Sequence, residues 1–504
     1  MKRRTVMTLS AVGAGVLALP IAGGAYLYTS TRRDTAGDVP FDNPLAVPPL
    51  DEGDLRGGAR NFSLDAEAGE TPIKPGKATP TWGFNGSYLG PTLRARRGDD
   101  LRFTVRNHLE ETTTVHFHGA HLPADCDGGP HQAIEPGGSW EPEWTVDQPA
   151  TMLWYHPHPH GNTARHVYRG LAGLILIDDD VSDGLDLPRE YGVDDVPLVV
   201  QDRNFDGDNA LEESETWTST TGIIGEDVIV NGTYGPYFEA TTRRLRLRIL
   251  NGSNARVMNF AFDDDREFLQ IGSDGGLLTE PHRTRRALLS PAERADIVVD
   301  LEPGETVVLR SLPVEDVGVG SIFKRFNGMD DRLDVLQIRA ADELADSPEV
   351  PAKLAEIASL SDEPAAERSF RLAGFSTING DSMDMNRIDF GAQVDTVEEW
   401  TVRNTDEYHH NFHVHDVQFQ VASIDGEAPP PPLAGWKDTV FLEPNRDYRL
   451  RMRFDQYTDP DLPYMYHCHI LFHEDFGMMG QFVVLGEGEE VGTVPDMAAH
   501  GDHG

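Results

Sequence analysis

Apolar and polar residues alternate with a period of two along much of the chain. Leu101, Phe103 and Val105 are separated by Arg102 and Thr104, and Leu245, Leu247 and Ile249 by Arg246 and Arg248. Such alternation gives a strand one apolar and one polar face. The runs are short and broken by Gly, Pro, Asn and Asp, which favour tight turns. Helical periodicity is scarce. Residues 341–368, with Ala, Glu and Asp and little β character, are the one segment expected to be helical or loose, and they read as an inter-domain connection. The pattern predicts antiparallel sandwiches.

One unit recurs at long range. A strand ends in asparagine at Asn107, Asn251 and Asn404. Nine and eleven residues later stand His116 and His118, then Phe260 and Phe262, then His413 and His415. Three copies of one strand–turn–strand unit imply three similar domains. They are expected at 45–185, 186–345 and 365–490, with linkers at 32–44 and 346–364 and a tail at 491–504. The middle copy has phenylalanine where the others have histidine, so it is expected to keep the fold and lack the ligands.

The length of 504 residues agrees with several cores rather than one. A net charge of −41 repels phosphate backbones and argues against a nucleic-acid partner. Only six of the 43 basic residues are lysine. Acid excess with scarce lysine reads as adaptation to salt; the blander reading is an ordinary acidic secreted protein. Residues 1–31 begin with Lys2, Arg3 and Arg4, followed by an uncharged, glycine-containing run from Thr5 to Thr31. Paired arginines before a moderately apolar run resemble a twin-arginine export signal. An uncleaved membrane anchor is the alternative. Either way the protein is expected outside the cytoplasm, secreted or at the cell surface, after passing the twin-arginine export machinery.

Histidine carries the chemistry. It clusters in 116–121, 156–160, 409–415 and 467–473, and includes four His-x-His pairs: His116/His118, His156/His158, His413/His415 and His467/His469. Residues i and i+2 of a strand share a face, so each pair aims two imidazoles at one point. Eight histidines from four such strands can hold three metal ions with two or three nitrogens each. The segment around Cys468 adds a second site. His410, Cys468 and His473 with Met478 supply two imidazoles, a thiolate and a thioether, the ligand set of a blue-copper electron-transfer centre. Because Cys468 stands between His467 and His469, its backbone joins the two sites. In the first domain proline fills the matching position, Pro157, so no second blue site can form there.

These stretches resemble the three-domain multicopper oxidases over residues 60–487. The motifs are HFHG at 116–119, WYHPHPHG at 154–161, HHNFHVH at 409–415 and HCHILFHEDFGMM at 467–479. The middle-domain stretches VNGTYGPYFE, LNGSNAR and IGSDGGLL are similar to the branch containing bacterial copper-efflux oxidases. The resemblance implies an all-β chain of three consecutive cupredoxin-like Greek-key β-sandwich domains, acting as a monomer. It implies four copper ions. His410, Cys468, His473 and Met478 would bind the type 1 copper; His116 and His413 the type 2 copper; His118, His156, His158, His415, His467 and His469 the type 3 pair. Asp127 and Glu474 match the family's acidic proton donors; the alternative is that they orient ligating imidazoles. A reductant would give electrons to the type 1 copper through His410 or His473 at the surface, and O2 would become water at the cluster.

The remaining residues are weaker signals. His160 reads as a neighbour of the ligands and His409 as facing away from them; His121 and His131 read as ordinary surface residues. Cys126 reads as a free thiol filling core, Asn61 begins a glycosylation sequon, and the tail with Met497, His500 and His503 reads as solvated, with copper pick-up the alternative. The family's copper-efflux members carry a methionine-rich insertion before the third domain, whereas 341–370 contains no methionine. That favours a laccase-like oxidase of phenols and aromatic amines, with an open type 1 edge. Oxidation of Cu(I) or another metal ion is the alternative, supported by Asp406 four residues before His410 unless Asp406 is a turn residue. Some exported relatives keep the fold without copper as structural proteins of cell division; the complete ligand set here argues against that role.

Overall fold

A computed structural model describes residues 31–495. Residues 1–30 of the segment expected to direct export, and the histidines of the tail, lie outside the described residues. No helix of the described residues is long and apolar enough to cross a membrane.

The described chain folds into three successive pairs of β-sheets. In the first pair, one sheet is built on Ala59–Thr71 and Asp100–Asn107 and the other on Thr92–Arg96, Gly173–Asp178, Thr151–His156 and His116–His118. The middle pair is built on Asp195–Arg203, Arg244–Asn251 and Arg294–Asp300, and on Pro236–Thr242, Leu333–Ala345, Thr306–Ser311 and Met258–Phe262. The third is built on Ala366–Ala373, Thr396–Asn404 and Asp447–Phe454, and on Met479–Leu485, Asp459–His467, His410–Val414 and Thr439–Leu442. This is the expected all-β cupredoxin-like architecture.

The repeated asparagine has a physical reason. Asn107, Asn251 and Asn404 are each fully buried at a strand end. In each copy the side-chain oxygen accepts from the backbone N–H two residues on: Leu109 at 2.9 Å, Ser253 at 3.1 Å and Asp406 at 2.9 Å. The amide nitrogen donates to a carbonyl within the turn and to one on a distant segment, as Asn107 does to Glu111 at 2.9 Å and Ile134 at 2.8 Å. A buried turn needs such partners for its backbone groups, and one asparagine supplies three bonds. The turn then delivers the next strand at a fixed offset, which is why histidine or phenylalanine recurs at the same spacing.

Alternation predicts one solvent face per strand, and Asp100–Asn107 obeys it. Arg244–Asn251 does not, because its polar face is also covered. Arg248 donates to Asp195 at 2.6 Å and Arg246 to Asp296 at 2.9 Å, so the buried guanidinium groups are paired. Residues 32–44, read as a linker, are tied to the middle sheets: Asn43–Pro44 pairs in parallel with Pro236–Tyr237. The connection after Ala345 is irregular rather than helical, and strand resumes at Ala366. The buried apolar side chains of the first and third sheet pairs form one contiguous cluster, while the middle pair has its own. That places the histidine-bearing sheets together.

Candidate metal centre

The eight paired histidines meet where the first and third sheet pairs join, and all are essentially buried. Only His116/His118 lies wholly within a strand. The other pairs begin at or next to a strand end and step off the sheet, at His156, His413 and His467. Cross-strand register brings His116 opposite His156 and His413 opposite His467. Rings from the two halves stack, His116 on His415 at 3.9 Å and His118 on His413 at 3.7 Å between centroids.

Six of the eight imidazoles are held by one nitrogen and present the other; His158 Nδ1 and His469 Nδ1 have no hydrogen-bond partner. His116 Nδ1 donates to the Asp127 carbonyl at 2.8 Å, His413 Nδ1 to the Asp438 carbonyl at 2.8 Å and His156 Nδ1 to the Pro157 carbonyl at 2.9 Å. His415 Nδ1 donates to Asp127 Oδ2 at 2.8 Å. His118 is inverted: its Nε2 donates to Asp438 Oδ1 at 3.0 Å and its Nδ1 has no partner. The presented nitrogens face one another. His467 Nε2 lies 3.2 Å from both His158 Nε2 and His415 Nε2, and His156 Nε2 lies 3.4 Å from His469 Nε2. His116 Nε2 and His413 Nε2 are likewise buried without a partner. Converging lone pairs in a dry site repel unless a cation lies between them, so the donor set fits metal ions. Burial first, and then the neighbouring imidazoles, hold His118, His158, His413, His415 and His469 well below the usual histidine range. Neutral imidazole is the ligating form.

The second site lies on the far side of Cys468. Its Sγ is 3.5 Å from His410 Nδ1 and 3.6 Å from His473 Nδ1, all three buried. Met478 is also fully buried, its N–H donating to the His473 carbonyl at 2.9 Å and its carbonyl accepting from Cys468 N–H at 3.1 Å. Burial pushes the Cys468 thiol up to about 12, so a thiolate here calls for a cation. The outer nitrogens of both histidines are capped: His410 Nε2 donates to Asp406 Oδ2 at 3.0 Å and His473 Nε2 to the Thr220 carbonyl at 2.8 Å.

This capping corrects the expected open edge. His410 and His473 are not at the surface; each is fully buried. Phe375 covers them, its ring stacked 5.8 Å from that of His473, and Tyr408 lies 5.2 Å from His410. Phe375 and Phe476 are exposed and both pack on Phe472. The sequence gives no signal for Thr220 or Phe375, because both reach the site from outside the histidine motifs.

Asp127 and Glu474 both join the cluster. Asp127 sits in a turn that needs glycine next, since Gly128 has φ +74° and a Cβ there would strike the Val115 carbonyl. Glu474 Oε1 lies 3.5 Å from His158 Nδ1 and Oε2 3.3 Å from His467 Nδ1, and both oxygens are buried without a hydrogen-bond partner. Burial raises the Glu474 carboxyl well above the usual range.

Three of the minor residues, His121, His131 and His160, differ from expectation. His131 is buried, with Nε2 2.9 Å from Gln481 Oε1, and His121 Nδ1 donates to buried Asp416 at 2.8 Å. Neither is an ordinary surface residue: loops between sandwiches are covered by the neighbouring sandwich. His160, expected beside the ligands, is exposed. Cys126 is buried and not disulfide-bonded, as expected, its thiol pushed up to about 12 by burial. His409, just before the strand that starts at His410, is buried and stacked on Phe441 at 5.8 Å.

Two family models described as multicopper oxidase match residues 65–182 and 349–487. A multicopper oxidase, mco, of Staphylococcus haemolyticus is 36% identical over 436 residues, covering 85% of this chain and 89% of the relative. The chain belongs to the multicopper oxidases. Among solved structures, the laccase of Pediococcus acidilactici Pa5930 superposes with a TM-score of 0.79 at 38% identity, covering 89% of this chain and 95% of the laccase. The cell division protein FtsP of Salmonella typhimurium is 34% identical over 460 residues, 90% of this chain and 94% of that protein. This multicopper oxidase is therefore a copper oxidoreductase by family, with histidine clusters that can hold metal.

Proposed function

We propose that this multicopper oxidase is laccase-like. His410, Cys468, His473 and Met478 would hold a type 1 copper and the eight paired histidines a three-copper cluster, and these would supply the redox chemistry that couples one-electron oxidation of phenols and aromatic amines to reduction of O2 to two waters. Four copper ions are held in all. The observation that carries the substrate class is the cover of the type 1 site: exposed Phe375 and Phe476 over Phe472, beside Asp406 on His410. An aromatic donor can stack on such a rim, and a carboxylate there favours neutral or cationic donors over anions.

Copper, when bound, supplies the one-electron redox chemistry and the site for O2. The chain supplies the rest. The Cys468 backbone, flanked by His467 and His469, joins the two sites. Burial of the eight histidines excludes water. Asp127 and Glu474 touch His415, His158 and His467 and are assigned to proton delivery, since a dry cationic site cannot draw protons directly from solvent. Export through the twin-arginine route, and residence outside the cytoplasm, are part of this reading on the strength of Arg3 and Arg4.

A second reading, oxidation of Cu(I) or another metal ion, draws on one further observation. Met383 N–H donates to the Gly477 carbonyl at 2.9 Å, beside Met478, so a partly exposed methionine does flank the type 1 loop. A copper-free role in cell division is disfavoured by the complete donor set.

The deciding experiment is an absorption spectrum of copper-loaded protein, then oxygen uptake with a phenol and with Cu(I), with and without a Cu(I) chelator. Phenol turnover that persists with the chelator supports the laccase reading; phenol turnover only with excess copper overturns it. Cys468→Ser should abolish the blue band and turnover.

A further inference from the structure

We infer that Arg294, from the middle sheet pair that holds no copper ligand, is a positioning residue for the trinuclear site. It does so by fixing Asp438, which inverts His118. Arg294 is fully buried and donates all five of its N–H groups across the three sheet pairs. Nε donates to the Met152 carbonyl at 3.0 Å, in the first. Nη1 donates to the Ala292 carbonyl at 3.1 Å and Nη2 to the Asp274 carbonyl at 2.9 Å, in the middle. The same two nitrogens form a fork on Asp438 of the third, Nη1 to Oδ1 at 2.7 Å and Nη2 to Oδ2 at 2.6 Å. A two-pronged bond of this kind fixes a carboxylate in orientation as well as position.

Asp438 in turn holds two of the cluster histidines by different atoms. Its Oδ1 accepts from His118 Nε2 at 3.0 Å, and its backbone carbonyl accepts from His413 Nδ1 at 2.8 Å. The other histidines held by a side-chain or backbone oxygen at Nδ1 present Nε2; His118 presents Nδ1. An imidazole presents the nitrogen that does not carry the proton, so the acceptor beside it sets the tautomer. Asp438 is that acceptor for His118.

Two further observations belong to the same network. Gly119, which follows His118, has φ +82°, and a Cβ there would collide with Asp438 Oδ2 and come within 3.1 Å of Arg294 Nη2. The glycine of the first histidine motif is thus the gap through which Asp438 reaches His118. Behind Asp438, Lys437 Nζ bridges Asp274 at 2.9 Å and Glu293 at 2.8 Å, and Asp274 Oδ1 accepts from Arg294 N–H at 2.7 Å. Each member of this buried group is bonded to a partner of opposite sign, two cations, Arg294 and Lys437, being shared among three carboxylates, so the members hold one another in place.

The inference rests on the copper reading of the eight histidines, and the test separates the two. Full-length wild type, Arg294→Met, Arg294→Lys and Gly119→Ala are loaded with Cu(II). Copper per chain, the blue band, the near-ultraviolet band of the type 3 pair, and melting of the copper-free proteins are measured. A wild type that takes up no copper defeats the copper reading itself. With copper bound, Arg294→Met is expected to keep the blue band while losing the type 3 band and trinuclear copper affinity by about 10- to 100-fold. Arg294→Lys, which keeps the charge and loses the fork, should move the same way by less. Gly119→Ala, which displaces Asp438 without removing a charge, should reproduce the signature and covers the case of an Arg294 variant that does not fold. Variants that melt lower yet keep wild-type type 3 absorption and copper content, or lose both copper sites in proportion, would show Arg294 to be structural glue and overturn the inference.

Discussion

His410 Nε2 donates to Asp406 Oδ2 across 3.0 Å, so a buried histidine of the Cys468 site is joined to a carboxylate whose side chain is 22% exposed. Asp406 also accepts from Gly374 N–H at 2.7 Å, which fixes it in the rim. It is therefore more than a turn residue, and under the proposed function its charge stands where electrons would enter. A negative group beside the site stabilises the oxidised, more cationic state. Asp406→Ala should raise the type 1 reduction potential in a redox titration. Under the laccase reading, kcat/KM for phenols falls by less than about tenfold, or about 1.4 kcal/mol. A far larger loss for Cu(I) than for phenols would show that Asp406 holds a metal substrate.

Asp127 and Glu474 grip opposite parts of the eight-histidine cluster, Asp127 at His415 and Glu474 between His158 and His467. Neither touches the Cys468 site by a described bond. Asp127→Asn and Glu474→Gln keep shape and remove the acid. Anaerobic bleaching of the blue band by substrate should be unchanged, while reoxidation by O2 slows by about 10²-fold or more, the usual weight of a positioned acid. Stopped-flow absorbance separates the two halves. Slower anaerobic bleaching in either variant would move its role to the substrate end.

Histidines held below their ordinary range make the copper-free protein acid-sensitive. The sign follows from linkage: the unfolded chain binds protons as pH falls through about 6.5, and the folded chain resists them. Stability contributed by neutral burial is thus present above that value and lost below it. His118, His156, His158, His413, His415 and His469 are all held well below it, and His467 is held at about 3. Each fully resisting group costs about 1.4 kcal/mol by pH 5.5. The melting temperature of the copper-free protein should fall steeply between pH 7 and 5.5, and copper should remove much of that slope. A copper-free melting temperature flat across this range would contradict the neutral, cation-ready site.

The sequence reading succeeded where chemistry is local. The His-x-His pairs, Cys468 and the Asn107–Asn251–Asn404 repeat are spaced by strand geometry and one turn, so spacing alone carried them. It failed where a second sheet covers the first. Arg246 and Arg248 alternate like solvent-facing residues and are buried on Asp296 and Asp195. His131 looked like a loop residue and packs on Gln481, 350 positions away. The closed type 1 edge was invisible for the same reason: Thr220 and Phe375 reach His473 from segments with no motif. Residues 32–44 carry a linker's composition yet pair with the middle sheets, because strand pairing is a backbone property that composition does not report.

Salt tests the reading of the charge. Acidic residues number 84 and basic ones 43, so 41 carboxylates have no basic counterpart even if every base were paired. Two effects oppose each other as salt rises. Screening weakens surface ion pairs such as Arg96–Asp180 and Arg453–Asp395, each worth about 0–1 kcal/mol. It also relieves repulsion among the unmatched carboxylates, which acts across the molecule when the Debye length is about 30 Å at 0.01 M and vanishes near about 3 Å at 1 M. Buried pairs such as Arg294–Asp438 and Arg256–Asp202 are screened much less than surface charges. With half the acids unmatched, relief of repulsion should exceed the loss of surface pairs. Melting temperature and oxygen uptake should both rise from dilute buffer to molar salt, with sodium and potassium chloride acting alike. A melting temperature that is flat or falls over that range would refute adaptation to salt and leave an ordinary acidic secreted protein.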